Sequence, residues 1–231
     1  MEYNFAEGEI LLINKPLDWT SFDVVKKVRN TIRVKKVGHA GTLDPLASGL
    51  LILCTGKYTK RIDEIQAQEK EYTGTIRLGE ITPSYDRETE VTETCDISHL
   101  TAEEVTAAAQ SFVGTIEQVP PIYSAVMVDG KRAYDLARKG KSAELKPRTI
   151  TIKAFDITRI EGPEIHFRVI CTKGTYIRSL AHDLGQKLGC GAHLSSLVRT
   201  RIGEYKLEDA LTIEDIQEIR RKQLEADGSN S

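Results

Sequence analysis

No apolar run in this chain approaches the roughly 18 residues of a membrane-spanning helix, and the longest, Leu50–Cys54 with its neighbours, is strand-sized. The opening MEYNFAEGE is acidic and has no basic stretch ahead of an apolar one, so no secretory signal is expected and a cytoplasmic location is the default. Four cysteines, Cys54, Cys95, Cys171 and Cys190, are scattered without a C-x-x-C pair. That spacing excludes a disulfide framework and reads as reduced core thiols. His182, Cys190 and His193 lie close in sequence but lack a fourth ligand at zinc-site spacing, so no metal is expected. There is no G-x-x-x-x-G-K-S/T phosphate loop, no G-x-S-x-G elbow and no H-E-x-x-H helix. Gly185, Gly189 and Gly191 follow a helical stretch where a dinucleotide fingerprint needs a strand. Neither an internal repeat nor an interdomain linker is visible.

What remains is an ordinary globular composition, 40% hydrophobic and 29% charged over 231 residues, enough for a sizeable core. The net charge of −2 conceals strong segregation. Residues 15–61 carry ten Lys/Arg against three Asp, and residues 62–119 carry three against thirteen Asp/Glu. Residues 120–149 then return to seven against three. Such segregation permits a basic face, the footprint of a phosphate-backbone ligand, although solvated surfaces also carry charge runs.

Along the chain, Glu9–Asn14 alternates as a strand. Thr20 or Ser21 caps a helix with Phe22, Val25, Val28 and Ile32 at helical spacing. A turn at Gly38-His39-Ala40-Gly41 leads through Thr42-Leu43-Asp44-Pro45 to Gly49 and a strand at Leu50–Thr55. Pro45 keeps Asp44 out of the α region. Glu71–Gly79 reads as a strand, and Thr101-Ala-Glu-Glu104 as a capping box opening a helix that ends by Gly114. Pro120–Pro147 is irregular but for a short helix, Arg132–Arg138 closed by Gly140, with Tyr123, Met127 and Tyr134 exposed. Thr149–Arg159 and Glu164–Cys171 form a strand pair turning at Gly162-Pro163. Thr175 caps a helix to Leu188, and Thr212–Ala226 is a last amphipathic helix before a frayed tail, Asp227–Ser231. Strands and helices mix without strict alternation, which predicts an α+β fold with a mixed, largely antiparallel sheet.

Two segments are dense in chemically useful residues where folding alone asks for little: GHAGTLDPLASG at 38–49 and CTKGTYIR at 171–178. The first resembles the catalytic motif of the TruB family of pseudouridine synthases, and the likeness continues in order through the chain. It includes Lys15-Pro16 with Thr20-Ser21, Lys70-Glu71-Tyr72 with Leu78-Gly79, and Pro121-Ile122-Tyr123-Ser124-Ala125 with Gly130-Lys131 and Tyr134. Lys173–Arg178, Asp183-Leu184-Gly185 and Gly189–His193 with Leu197 and Arg199 complete it.

The resemblance implies a pseudouridine synthase fold over residues 1–231, a single catalytic domain. Helices flank its sheet, and a basic thumb at about 120–148 grips the T-stem loop of tRNA. It implies isomerisation of the T-loop uridine at position 55 without cofactor or metal; a monomer with no obligate protein partner is the default. Asp44 falls on the family's catalytic aspartate, and Arg178 on the arginine that holds it ionised. Tyr72 falls on the tyrosine that stacks on the extruded uracil. His39 matches the residue that fills the vacated space in the RNA, Tyr176 and Leu197 match pocket walls, and Lys15 is a structural or phosphate contact. Taken alone, Asp44 would be a turn-capping residue, Arg178 a surface residue and Tyr72 a strand aromatic.

Three departures stand out. Asp18 occupies a position where the family usually has glycine; aspartate tolerates the left-handed conformation better than most residues, so the turn can survive. The Asp86-Arg87-Glu88-Thr89 stretch lacks a glycine common after the matching aspartate. The chain also stops at Ser231 without the PUA-type module of many members, which reads as a short form. A non-catalytic tRNA-folding protein with the same pocket is the competing reading; a carboxylate-pair hydrolase and a synthase for another RNA site are the others.

Overall fold

Threonine caps set the starts of three helices in the computed structural model, which describes residues 3–128, 130–137, 139 and 145–228. The chain divides into two compact units, residues 1–71 with 198–231, and residues 72–197.

In the first unit the order is β1 (Ile10–Lys15), α1 (Ser21–Ile32), β2 (Val37–His39), β3 (Ala47–Thr55), a 3-10 turn (Gly56–Arg61) and α2 (Ile62–Ala67). β4 (Lys70–Leu78) begins here, and the end of β12 (Ala192–Ile202) returns, followed by β13 (Tyr205–Lys206), the 3-10 turn Leu207–Asp209 and α6 (Ile213–Gly228). β1 runs antiparallel to β3 from Ile10↔Cys54 to Lys15↔Gly49, and β2 pairs the same strand from Val37↔Thr55 to His39↔Leu53. These pairings draw the Lys15 end of β1 and the residues after His39 to the start of β3.

The Thr20 side chain accepts from the Asp23 amide while Asp23 answers the Thr20 amide, a complete capping box at α1. Val24, Val25, Val28 and Ile32 pack on Leu11, Ile13, Leu51 and Leu53 of the sheet and on Ile213 and Ile216 of α6. Phe22, expected on this buried face, is instead 65% exposed. Ser21 is drawn inward by hydrogen bonds to Leu43, and at about 100° per residue that turns Phe22 away from the stripe. Thr212 and Asp215 repeat the reciprocal cap at α6.

The second unit carries the rest of β4, then β5 (Glu80–Ile81), β6 (Glu93–Thr94), α3 (Ala102–Gln110), β7 (Gly114–Gln118), β8 (Met127–Val128), β9 (Lys131–Arg132) and α4 (Ala133–Ala137). β10 (Arg148–Glu161), β11 (Glu164–Cys171), α5 (Ile177–Lys187) and the start of β12 follow. Its sheet runs β4, β11, β10, β7. β10 and β11 are antiparallel about Gly162-Pro163, and β7 pairs β10 from Arg148↔Gln118 to Ile152↔Gly114. Phe155 and Phe167 meet edge to face at 6.0 Å in its core. The class is α+β, a mixed sheet flanked by helices, as the sequence implies.

Other expectations shift. Thr175 does not cap α5: its hydroxyl donates to the Thr172 carbonyl, and Tyr176 is the capping position without a side-chain bond of its own. Gln118 takes that role from β7, accepting from the Tyr176 amide at 2.8 Å and donating to its carbonyl at 3.1 Å. Within the thumb, Met127 is exposed but Tyr123 and Tyr134 are partly buried, their rings 6.0 Å apart. The expected helix covers Ala133–Ala137; Arg138, Gly140 and the tail 229–231 lie outside the described residues. Among the described residues no helix is long and apolar enough to cross a membrane.

Gly49 in β3 tests how tightly the start of that strand is built. Its φ is +102, and a Cβ there would lie 2.5 Å from the Arg199 carbonyl oxygen. Gly49→Ala should lose about 3 kcal/mol, seen as a lower urea midpoint with unchanged m-value. Gly162→Ala, with φ +57 and open space around it, should lose only about 1 kcal/mol.

Candidate active site

The Asp44 loop is built by hydrogen bonds to its backbone. The Ala40 amide donates to the Ile52 carbonyl and the Ala47 amide to the Asp44 carbonyl, at 2.9 and 3.0 Å. Ser21 Oγ accepts from the Leu43 amide at 2.9 Å and donates to the Leu43 carbonyl at 3.1 Å. Asp18 adopts the left-handed conformation, φ 65, and its amide donates to the Pro45 carbonyl at 2.8 Å.

Two buried cations complete the frame. The Arg199 guanidinium is 1% exposed and donates to the carbonyls of Leu50 (2.8 Å), Gly41 (3.1 Å) and Thr42 (3.2 Å). Lys15 is wholly buried, its Nζ donating to the carbonyls of Trp19 (2.6 Å), Pro16 (2.8 Å) and Pro45 (3.4 Å). Burial pulls its ammonium down to about 8, and the Asp44 carboxylate, the largest of the opposing influences, limits the fall. Lys15 and Asp44 thus share one loop cluster. His39, at the end of β2, is held below its ordinary value mainly by burial, so its imidazole is neutral near pH 7. Its buried Nδ1 has no hydrogen-bond partner.

In the second unit Tyr72 lies buried on β4 and Leu197 on β12, each 8% exposed. Tyr176 and Arg178 stand together at the start of α5. The buried Arg178 donates to the carbonyls of Tyr123 (2.8 Å) and Ser84 (3.4 Å), and its Nε lies 3.6 Å from Asp86 Oδ2. Asp86 is itself buried and accepts from the Glu88 amide at 2.9 Å. Tyr85, at φ 65, stacks on His182 with centroids 3.9 Å apart, and the Tyr134 hydroxyl donates to Glu88 at 3.0 Å. Burial raises Asp183 to about 6. Arg199 and Ser21 fall within the family motifs without an expected role of their own, and Asp86 is the motif-matched aspartate of a departing stretch; no local signal pairs it with Arg178. His193 meets Glu80 at 3.4 Å while His182 meets Tyr85, and among the described residues no His/Cys/Asp/Glu group has metal-site geometry.

The arrangement is a carboxylate on a rigid loop in one unit and a buried arginine beside an acidic loop in the other. The family model for the TruB pseudouridylate synthase N-terminal domain matches residues 29–177. The chain belongs to the TruB family of pseudouridylate synthases. The model for the tRNA pseudouridylate synthase B C-terminal domain matches residues 178–228. Similar curated relatives are both called tRNA pseudouridine synthase B. That of Phocaeicola vulgatus is 55% identical over 221 residues, 93% of this chain and 94% of its own. That of Bacteroides thetaiotaomicron is 54% identical over 239 residues, 99% of this chain and all of its own. Among solved structures, the archaeal box H/ACA sRNP Nop10-Cbf5 complex matches at TM-score 0.73 and 27% identity over 96% of this chain; this chain spans 57% of that one. An H/ACA RNP bound to a substrate RNA containing 2′-deoxyuridine matches at TM-score 0.70 and 28% identity, over 93% of this chain and 53% of that one.

Lys15→Met removes the ammonium donor from the carbonyls of Pro16 and Trp19, while Pro45 keeps the Asp18 amide, and should cost about 2–4 kcal/mol at pH 7. The folded value near 8 lies below the ordinary 10.5, so between them the unfolded chain binds more protons and stability rises with pH. The penalty for burying the charged amine is thus full below about pH 8 and fades towards pH 10.5. Urea titrations across that window should show the parent gaining on Lys15→Met; a constant gap would count against this reading of Lys15.

Proposed function

We propose that this chain isomerises the uridine at position 55 in the T loop of tRNAs to pseudouridine, acting in the cytoplasm as a monomer. The whole chain, 1–231, acts as one catalytic unit. The reaction breaks the C1′–N1 bond, turns the base and forms a C1′–C5 bond. The proton lost from C5 is balanced by one gained at N1, so nothing is oxidised and no nucleotide is consumed, and no cofactor is required. The uracil must leave its stack, at a cost of a few kcal/mol, before the sugar is accessible.

Asp44 is the catalytic carboxylate in this reading. A carboxylate serves whether it attacks the sugar, adds to the base or removes a ribose proton. The observation that carries the proposal is the frame around it: Ser21, Lys15 and Arg199 fix the backbone on both sides of Asp44, so little reorganisation remains for the chemical step. Arg178 serves as the arginine of the site, Tyr72 stacks on the flipped base, and Tyr176 and Leu197 wall the pocket. His39, neutral near pH 7, enters the T loop where the base has left. The basic stretch at 120–148 closes on the stem, reading shape and splayed bases rather than a duplex sequence.

An unmodified T-arm stem-loop, incubated with the chain and no cofactor, should acquire one carbodiimide-blocked primer-extension stop, at the T-loop uridine. Asp44→Asn should still bind the RNA but leave no stop. RNA binding without modification by the parent chain would transfer the reading to a tRNA-folding protein.

A further inference from the structure

Three of the four thiols are the expected core residues, but Cys95 is exposed, while Cys54, Cys171 and Cys190 are buried. Its place is set by Gly79, just after β4. The Cys95 amide donates to the Gly79 carbonyl and the Gly79 amide donates to the Gly191 carbonyl, both at 2.9 Å. One residue therefore bridges the segment after β6 and the turn joining α5 to β12. A Cβ on Gly79, whose φ is +81, would lie 2.8 Å from the Cys95 carbonyl oxygen.

The two sulfurs flank that turn. Cys95 Sγ lies 3.9 Å from the Gly189 carbonyl oxygen, and Cys190 Sγ lies 3.3 Å from the Gly191 carbonyl oxygen. The turn is stiff: the Cys190 and Gly191 amides both donate to the Gly185 carbonyl, at 3.1 and 3.0 Å. Burial raises the Cys190 thiol, the Gly79 amide offsets part of the rise, and charge on the neighbouring Cys95 adds to it.

We propose that Cys95 and Cys190 are a reversible thiol pair that a peroxide converts to an intramolecular disulfide. The exposed Cys95 is the attacking group, because the accessible thiolate is the nucleophile. It cleaves the peroxide O–O bond, becoming a sulfenic acid as one oxygen leaves as water or alcohol. The Cys190 sulfur then displaces the sulfenic hydroxyl, which leaves as water, and the S–S bond forms. The two thiols give up two electrons and two protons, which the peroxide takes. A small dithiol reverses the step by exchange. Cys54 and Cys171 sit inside β3 and β11 and stay reduced. The bond fastens the segment after β6 to the turn beyond α5, and these elements border the Asp86 loop and the helix that carries Arg178.

The full chain, treated with hydrogen peroxide, alkylated under denaturing conditions and digested, should yield a Cys95–Cys190 linked peptide lighter by two hydrogens. Dithiothreitol should remove it. The oxidised chain should melt about 5–10 °C higher than the reduced one. Both effects should vanish in Cys95→Ser, an exposed substitution that leaves the core intact. Cys95 driven on to a sulfinic acid while Cys190 is still alkylated would overturn the proposal, as would a disulfide joining Cys95 of two chains.

Discussion

Buried cations donating to backbone carbonyls hold the functional loop of the first unit in place. Arg199 and Lys15 are almost without solvent, and their six hydrogen bonds, as described, go to main-chain oxygens. Burying an ionised group costs several kcal/mol, and hydrogen bonds to charged donors return about 1.5–3 kcal/mol each. Three such bonds offset the burial, but only when the carbonyls stay where they are. The frame is therefore stable in one loop conformation and poor in others, which is what a catalytic carboxylate requires of its support.

Arg178 shows the same device in the second unit. Its guanidinium reaches the carbonyls of Ser84 and Tyr123 and lies near Asp86, so the acidic loop and the start of the basic insertion meet on one side chain. Gln118 adds a side-chain clasp on the Tyr176 backbone just ahead of it. Polar groups buried in this way serve position more than stability, because each loses much if its partner moves.

The parts of the fold that were legible in the sequence follow from local chemistry. The caps at Thr20, Thr101 and Thr212 compete with nothing else nearby, and the β10–β11 hairpin announces itself by alternation about Gly162-Pro163. The Asp44 loop was legible because it carries a dense motif. What was hidden depends on distant residues. β12 does not alternate cleanly because His193 and Arg199 are buried for their hydrogen bonds, not their hydrophobicity. The α5 cap comes from Gln118, 58 residues upstream, and the Phe22 error arose from Ser21 bonding to Leu43. Asp86 beside Arg178 is a contact across 92 positions that no periodicity announces.

The most direct test of the loop-framing account separates chemistry from affinity. Arg199→Met, with Arg199→Lys as the charge-preserving control, would be compared with the parent for single-turnover modification rate and for Kd towards an unmodified T-arm stem-loop. A loop released from its clamp should slow the chemical step of Arg199→Met by roughly a hundredfold and leave Kd within about threefold. A preserved rate accompanied by weakened binding would contradict the account and make Arg199 a contributor to RNA affinity instead.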